Sequence, residues 1–474
     1  MKKSLVAVID DGYESRKDIY SDILSEHFEI ESYSKEATFV REGKNKHYDL
    51  LVIDNILKGW KTNTLTSFLK KYTDLTQCGT PIVAVSQHWH DEQGQSLWDI
   101  SDVIRKYPII MIVTWEDFGH FPSGTELSVK WKESIKENIY LKYLWHCGLQ
   151  PAIPIDEDVV ILQLSDTQFG AEADAGAYAV KTEIVSHLRN KSIRPSIVAF
   201  CGDISQSGKT HEFEQAEKWI RDFSETFKPK ISVNQFVFTV GNHDCNFDSF
   251  APFKYQFDFD KKKFVGNNGK IDWEMGDNKY LTTEELIFSN YLLFEKQCSP
   301  DSGSAVYRTN KLNTVDDSFV NWGIRIIALN TVSNISPENI SGIGVDVDEL
   351  EKIINYCLVE HRHEDIYTIL ITHYSPTDLG YDSGDNEKQE KWEAIIPFLT
   401  QLKVKLWLCG HSHKSSKREI ELEGGLRIEY SKSSSLRLSR NHLAPNSKRG
   451  YNTITLRRKN GIVVEAEIDI HNIN

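Results

Sequence analysis

The chain is punctuated by short apolar runs that stop at residues with chemistry to offer. "VVILQLSD" ends at Asp166, "IVAFCGD" at Asp203, and "FVFTVGNHD" at Asn242, His243 and Asp244. "YTILITH" ends at His373, and "KLWLCGHSH" at His411 and His413. Runs that are apolar without alternation belong to strands buried on both faces, the texture of parallel sheets covered by helices. In such proteins the carboxyl ends of the strands line the ligand crevice. Segments far apart in sequence can therefore bring two Asp, one Asn, one Gln (Gln168) and four His to one pocket. Singly, each has a plain structural reading: an Asp after a strand is commonly a turn or cap residue. Five such strand ends in series are not explained that way.

The same texture opens the chain. Apolar runs at 5–9, 50–53, 82–85 and 109–113, with a weaker one near 28–33, alternate with amphipathic helical stretches. This predicts an α/β domain with a doubly wound parallel sheet over 1–125. A helical stretch, "ELSVKWKESIKENIYLKYLWH", runs on to "CGLQPAIP", so 126–156 reads as helix and linker. A second α/β domain is expected over 157–474, with strands at 159–164, 197–200, 236–240, 324–329, 367–371 and 405–408. Residues 245–320 read as a lid or insertion, too long and polar for a turn.

A net charge of −14 argues against a chain built mainly to wrap nucleic acid, although a local basic groove stays open. Seven scattered cysteines without a CxxC pair read as thiols in a reducing compartment. Asp10 and Asp11 break the apolar start "MKKSLVAVIDDG" too early for an export signal. No run approaches the ~18 apolar residues of a membrane span, so no membrane partner and a cytoplasmic location are expected.

On its strand-end motifs the chain from about 157 onward resembles the calcineurin-like metallophosphoesterases. That family carries Asp-x-His, Gly-Asp, Gly-Asn-His-Asp/Glu, a lone His and Gly-His-x-His in this order, and here they read "DTQ", "GD", "GNHD", "THYSP" and "GHSH". The resemblance implies a two-sheet αββα fold and two divalent metal ions. Asp166, Gln168, Asp203 and His413 would hold one metal; Asp203, Asn242, His373 and His411 would hold the other. It gives His243 the part of charge stabiliser or general acid, with Asp244 orienting its ring. The implied substrate is a phosphomonoester or phosphodiester of a small molecule or nucleotide; a nuclease of the same family and a non-catalytic signalling adaptor are the alternatives. Oxygen and imidazole donors without thiolate suit Mn²⁺, Fe or Zn²⁺ and not a closed structural zinc. Gln168 departs from the common histidine. Its neutral amide oxygen can still coordinate a cation and shifts the expectation toward Mn²⁺.

Residues 1–118 resemble a two-component receiver domain, which implies the strand order 2-1-3-4-5. Asp10 and Asp11 match its Mg²⁺-binding acidic pair, Asp54 its phospho-acceptor and Ser86 its switch residue. The lysine such domains carry after strand five is missing: that place reads "TWEDF", with Glu116 adding negative charge. A docking or dimerisation scaffold for a protein partner is therefore preferred to a working phospho-switch. Finally, "DISQSGKT" is one residue from a phosphate-binding loop, but Asp203 stands where that motif needs glycine.

Overall fold

Two units, each with its own core, divide the chain: Met1–Cys147 and Gly148–Asn474. The structure is a computed structural model and describes residues 3–72, 80–86, 107–114, 126–170, 174–246, 256–258, 263–265, 287–298, 305–310, 312–335, 339–363, 365–436 and 448–473.

In the first unit β1 (Ser4–Ile9), β2 (Phe28–Tyr33), β3 (Leu50–Asp54), β4 (Ile82–Ser86) and β5 (Ile109–Thr114) form one parallel sheet in the order β2-β1-β3-β4-β5. This is the doubly wound order expected. The continuous apolar runs have their physical reason here: Val6–Ile9, Leu50–Ile53 and Ile82–Val85 are buried at every position. The helix Glu126–Cys147, placed in a connector by the sequence, belongs to this unit. Its Tyr143 hydroxyl meets Ser4 Oγ at 2.8 Å, and the ring packs edge-on to Phe28 at 5.1 Å.

The second unit holds two larger sheets. One runs β19-β18-β6-β7-β8, from β6 (Val159–Leu164), β7 (Ile197–Cys201), β8 (Phe236–Thr239), β18 (Arg449–Lys459) and β19 (Ile462–Ile473). β9 (Gln256–Asp258) and β10 (Lys263–Val265) make a small separate hairpin. The other large sheet runs β11-β12-β13-β14-β15-β17-β16. Its strands are β11 (Val306–Asn310), β12 (Asn313–Asp316), β13 (Ile324–Ala328), β14 (Tyr367–Ile371), β15 (Val404–Cys409), β16 (Ser416–Glu421) and β17 (Arg427–Lys432).

Side-chain alternation explains how these layers stack. Ile161, Ile197 and Ala199 from one sheet share a core with Ile326, Ile369, Ile371 and Leu408 from the other. The alternate residues point outward under helices: Phe238 on β8 meets Phe294 of helix Ser289–Cys298 at 5.3 Å. Trp407 on β15 stacks on Trp392 of helix Asn386–Gln401 at 6.3 Å. The result is the αββα sandwich.

The 245–320 stretch is not a uniform insertion. The helix Ser289–Cys298 is core, and β11 and β12 extend the seven-stranded sheet. The six described cysteines are unpaired thiols. Among the described residues no helix is long and apolar enough to cross a membrane.

Candidate metal centre

Five segments meet at the carboxyl ends of β6, β7, β8, β14 and β15. Ligand-competent atoms of Asp166, Asp203 and His373 lie within 4.8 Å of one another. The turns that present these groups are sharply bent. Of ten described non-glycine residues with positive φ, five are Asp166, Gln168, Asp203, His411 and His413. L-residues adopt that conformation at a cost, and such strain gathers where surrounding structure enforces it for function. Two motif glycines exist for close approach. A Cβ at Gly241 would lie 2.2 Å from Asp203 Oδ1, and one at Gly410 would lie 1.6 Å from Ser165 Oγ.

The hydrogen bonds aim electron-rich atoms at a common point. His373 Nδ1 donates to the Cys201 carbonyl at 3.0 Å, which leaves Nε2 with its lone pair facing inward. That Nε2 sits 3.1 Å from Asn242 Oδ1, 3.2 Å from His411 Nδ1 and 3.4 Å from Asp203 Oδ2. Asp166 Oδ2 accepts from Ser165 Oγ at 2.5 Å and from the His411 N–H at 3.0 Å. Its Oδ1 lies 3.2 Å from His413 Nε2 but makes no well-formed hydrogen bond. Gln168 Oε1 is likewise buried and without a hydrogen-bond partner. Buried polar atoms are almost always paired, so an orphaned oxygen of Asp166 grouped with Asp203 and His373 fits a cation. The donor set present, carboxylate, amide oxygen and imidazole, is one that divalent metals accept. Asp166, Asp203, Asn242, His373, His411 and His413 are therefore brought to one basin by their side chains. Gln168 is tied to Asp203 through its backbone N–H, which donates to the Asp203 carbonyl at 2.9 Å.

His243 stands beside this basin. Its N–H donates to Asp203 Oδ1 at 2.8 Å and its Nδ1 donates to the Gln206 carbonyl at 2.9 Å. Here the structure corrects the expectation for Asp244, which does not orient the His243 ring. Its two oxygens accept from Ser205 N–H at 2.8 Å and Gly241 N–H at 2.9 Å, tying together the loops after β7 and β8. The ring is held by Gln206 instead, and that loop is anchored by Glu212. The Glu212 carboxylate accepts from Ser207 N–H at 2.9 Å, Ser207 Oγ at 2.7 Å and Lys209 N–H at 3.1 Å. Gln206 and Glu212 were missed because one acts through its backbone and the other from a helix face without a motif.

Electrostatics sharpen the picture for the chain without cations. Burial pushes Asp203 up to about 6, and burial with the charge of Asp203 pushes Asp244 up to about 7. Burial would raise Asp166 too, but His413, 3.2 Å from its Oδ1, and the field of His373 hold it at about 2. Burial and the neighbouring His373 press His411 down to about 4. His243 moves the other way: burial lowers it, but the charge of Asp203 and the Gln206 carbonyl outweigh that and raise it. Several carboxylates cannot all stay charged at such spacing without a cation among them.

In the first unit Asp10, Asp11 and Asp54 also come within 4.8 Å of one another. Ser86 closes β4 opposite Thr114 on β5, and Glu116 lies outside the described residues.

A two-sheet αββα unit with this basin at its strand ends defines the metal-dependent phosphoester hydrolases as the class. A family model for calcineurin-like phosphoesterases matches residues 159–415, more than half of the chain, and the chain belongs to that family. No curated protein matches the sequence. Among solved structures, a Francisella response regulator receiver domain is similar at 15% identity, covering 30% of this chain and 97% of that one with a TM-score of 0.21. The response regulator domain of Thermotoga maritima CheB is similar at 14% identity, covering 32% and 100%, TM-score 0.22. A Staphylococcus aureus protein described as a 5′-nucleotidase, in complex with alpha-ketoglutarate, is similar at 11% identity, covering 67% and 54%, TM-score 0.34.

Proposed function

We propose that the second unit hydrolyses phosphomonoesters or phosphodiesters at a dinuclear centre. Asp166, Gln168, Asp203 and His413 would hold one metal; Asp203, Asn242, His373 and His411 would hold the second, with Asp203 between them. The observation that carries this reading is the orphaned acceptor Asp166 Oδ1, on a carboxylate grouped with Asp203 and the inward-facing His373 Nε2, with Gln168 Oε1 buried and unpaired two residues further on. Two divalent ions there would supply Lewis-acid charge for the phosphoryl oxygens and an activated water for in-line attack.

The chain's own residues do the rest. The Cys201 carbonyl fixes the His373 tautomer, and the Ser165 hydroxyl and His411 N–H fix the Asp166 carboxylate. His243, held at Nδ1 by the Gln206 carbonyl, keeps Nε2 to donate a proton to the leaving oxygen. Oxygen from Gln168 and Asn242 favours Mn²⁺ among the candidate metals.

The purified chain is expected to hydrolyse an activated aryl phosphate ester, to lose that activity with EDTA, and to recover it at least as well with Mn²⁺ as with Zn²⁺. Full activity after complete metal removal, checked by elemental analysis, would refute the proposal. His411→Ala is expected to lose metal and activity together.

A further inference from the structure

The two units each gather three metal-competent side chains, and the two clusters are in opposite states. In the second unit buried acceptors are left without donors. In the first, the two buried carboxylates, Asp10 and Asp54, are already paired. Asp10 Oδ1 accepts from the Gly12 N–H at 2.7 Å and from Arg16 Nη1 at 2.9 Å. Asp10 Oδ2 accepts from the Tyr20 hydroxyl at 2.8 Å and from the same Nη1 at 3.1 Å. Three donors therefore already surround Asp10, and one of them, the Arg16 guanidinium, reaches both its oxygens. Asp54 Oδ2 accepts from Arg16 Nη1 at 2.8 Å, and its Oδ1 from the Ile56 N–H at 3.3 Å.

One nitrogen therefore stands between both carboxylates, at the point where an ion bridging them would have to sit. We infer that Arg16 is the resident cation of this pocket and takes the place of the divalent ion expected for Asp10, Asp11 and Asp54.

The chain is built to allow it. Arg16 lies in the first turn of the helix Tyr13–Leu24, and its guanidinium folds back over Gly12. A Cβ at Gly12 would lie 3.2 Å from Arg16 Cζ, tighter than ordinary contact, so glycine leaves the guanidinium its room. A guanidinium keeps its charge at any working pH and, being tethered, meets the carboxylates at high effective concentration. Mg²⁺ sheds water reluctantly and demands oxygen ligands at ~2.0–2.1 Å in octahedral array, so it would have to evict Nη1 first. Mg²⁺ does not fit the pocket as it stands. In place of the lysine missing after β5, the cation enters from the helix Tyr13–Leu24. The first unit is thereby held in one state without metal, as a docking module needs and a metal-assisted phospho-acceptor does not.

Hydrogen exchange by mass spectrometry on the full chain tests this locally, in peptides covering 5–24 and 50–57, with and without millimolar Mg²⁺. Wild type is expected to exchange identically in both. Arg16→Ala is expected to exchange faster without Mg²⁺ and to regain protection when Mg²⁺ is added, as the ion takes the vacated place. Mg²⁺-dependent protection of these peptides in wild type overturns the inference. So does an Arg16→Ala chain that neither loosens nor responds. A stoichiometric, Mg²⁺-dependent phosphoryl adduct on wild-type Asp54 after acetyl phosphate treatment overturns it equally. Should Arg16→Ala fail to fold, Arg16→Gln replaces it, and the wild-type arms decide on their own.

Discussion

At the scale of single residues, the site divides into groups that would touch metal and groups that aim them. His243→Asn is expected to lower turnover by roughly 10²–10⁴-fold, the range for loss of a general acid, with metal content unchanged by elemental analysis. Metal lost along with activity would make His243 a ligand. Glu212→Gln keeps the shape of the side chain but weakens three charge-assisted hydrogen bonds to the loop that holds His243. As a positioning residue it is expected to cost about 10–100-fold in kcat and to shift the alkaline limb of the pH–rate profile, where the general acid His243 loses its proton, with metal content intact. A purely structural role would lower the amount of folded enzyme and leave the profile of the remainder unmoved. Asp54 carries a pH dependence of its own: burial and the charge of Asp10 raise it from 3.8 to about 6. The folded state then holds the proton more tightly than the unfolded one. Its contribution is favourable below the unfolded value and is lost as pH climbs from about 4 through 6. Asp54→Asn is expected to flatten that part of the stability–pH curve of the first unit, measured by thermal unfolding at several pH values.

Among elements, legibility followed burial. β1, β3, β4, β6, β7, β13, β14 and β15 are covered on both faces and read directly as apolar runs. β16 and β17, "SKREIE" and "RIEYSK", expose one face or lie at a sheet edge, so their polar residues hid them. The β18–β19 hairpin carried a signal that was not used: Asn460-Gly461 joins the strands, with φ of 54° and 80°. Two positive-φ residues of this kind are the mark of a tight type I′ turn. Gly461→Val is expected to destabilise the second unit by about 1–2 kcal/mol in denaturant unfolding, since a β-branched residue resists that conformation. Metal-site residues were legible because each follows a buried strand. Arg16 and Gln206 were not, because their partners Asp54 and His243 lie on other elements and only the folded chain brings them together. Glu212 was not, because its partners Ser207 and Lys209 are local and its link to His243 runs through the loop they form.

On the scale of the whole molecule, every residue of the proposed centre lies in Gly148–Asn474, and the first unit has its own core. A chain of residues 148–474 is therefore expected to keep phosphoesterase activity within about twofold of the full chain, as independent domains do. The topology of that unit also sets an order in time. β6, the first strand made, lies between β7 and β18, and Val159 pairs with Leu456. A ribosome adding ~5–20 residues per second needs roughly 15–60 s to pass from one partner to the other. Throughout that interval the nascent chain holds an apolar strand with one edge unclaimed, which marks it for chaperones and makes interrupted translation hazardous.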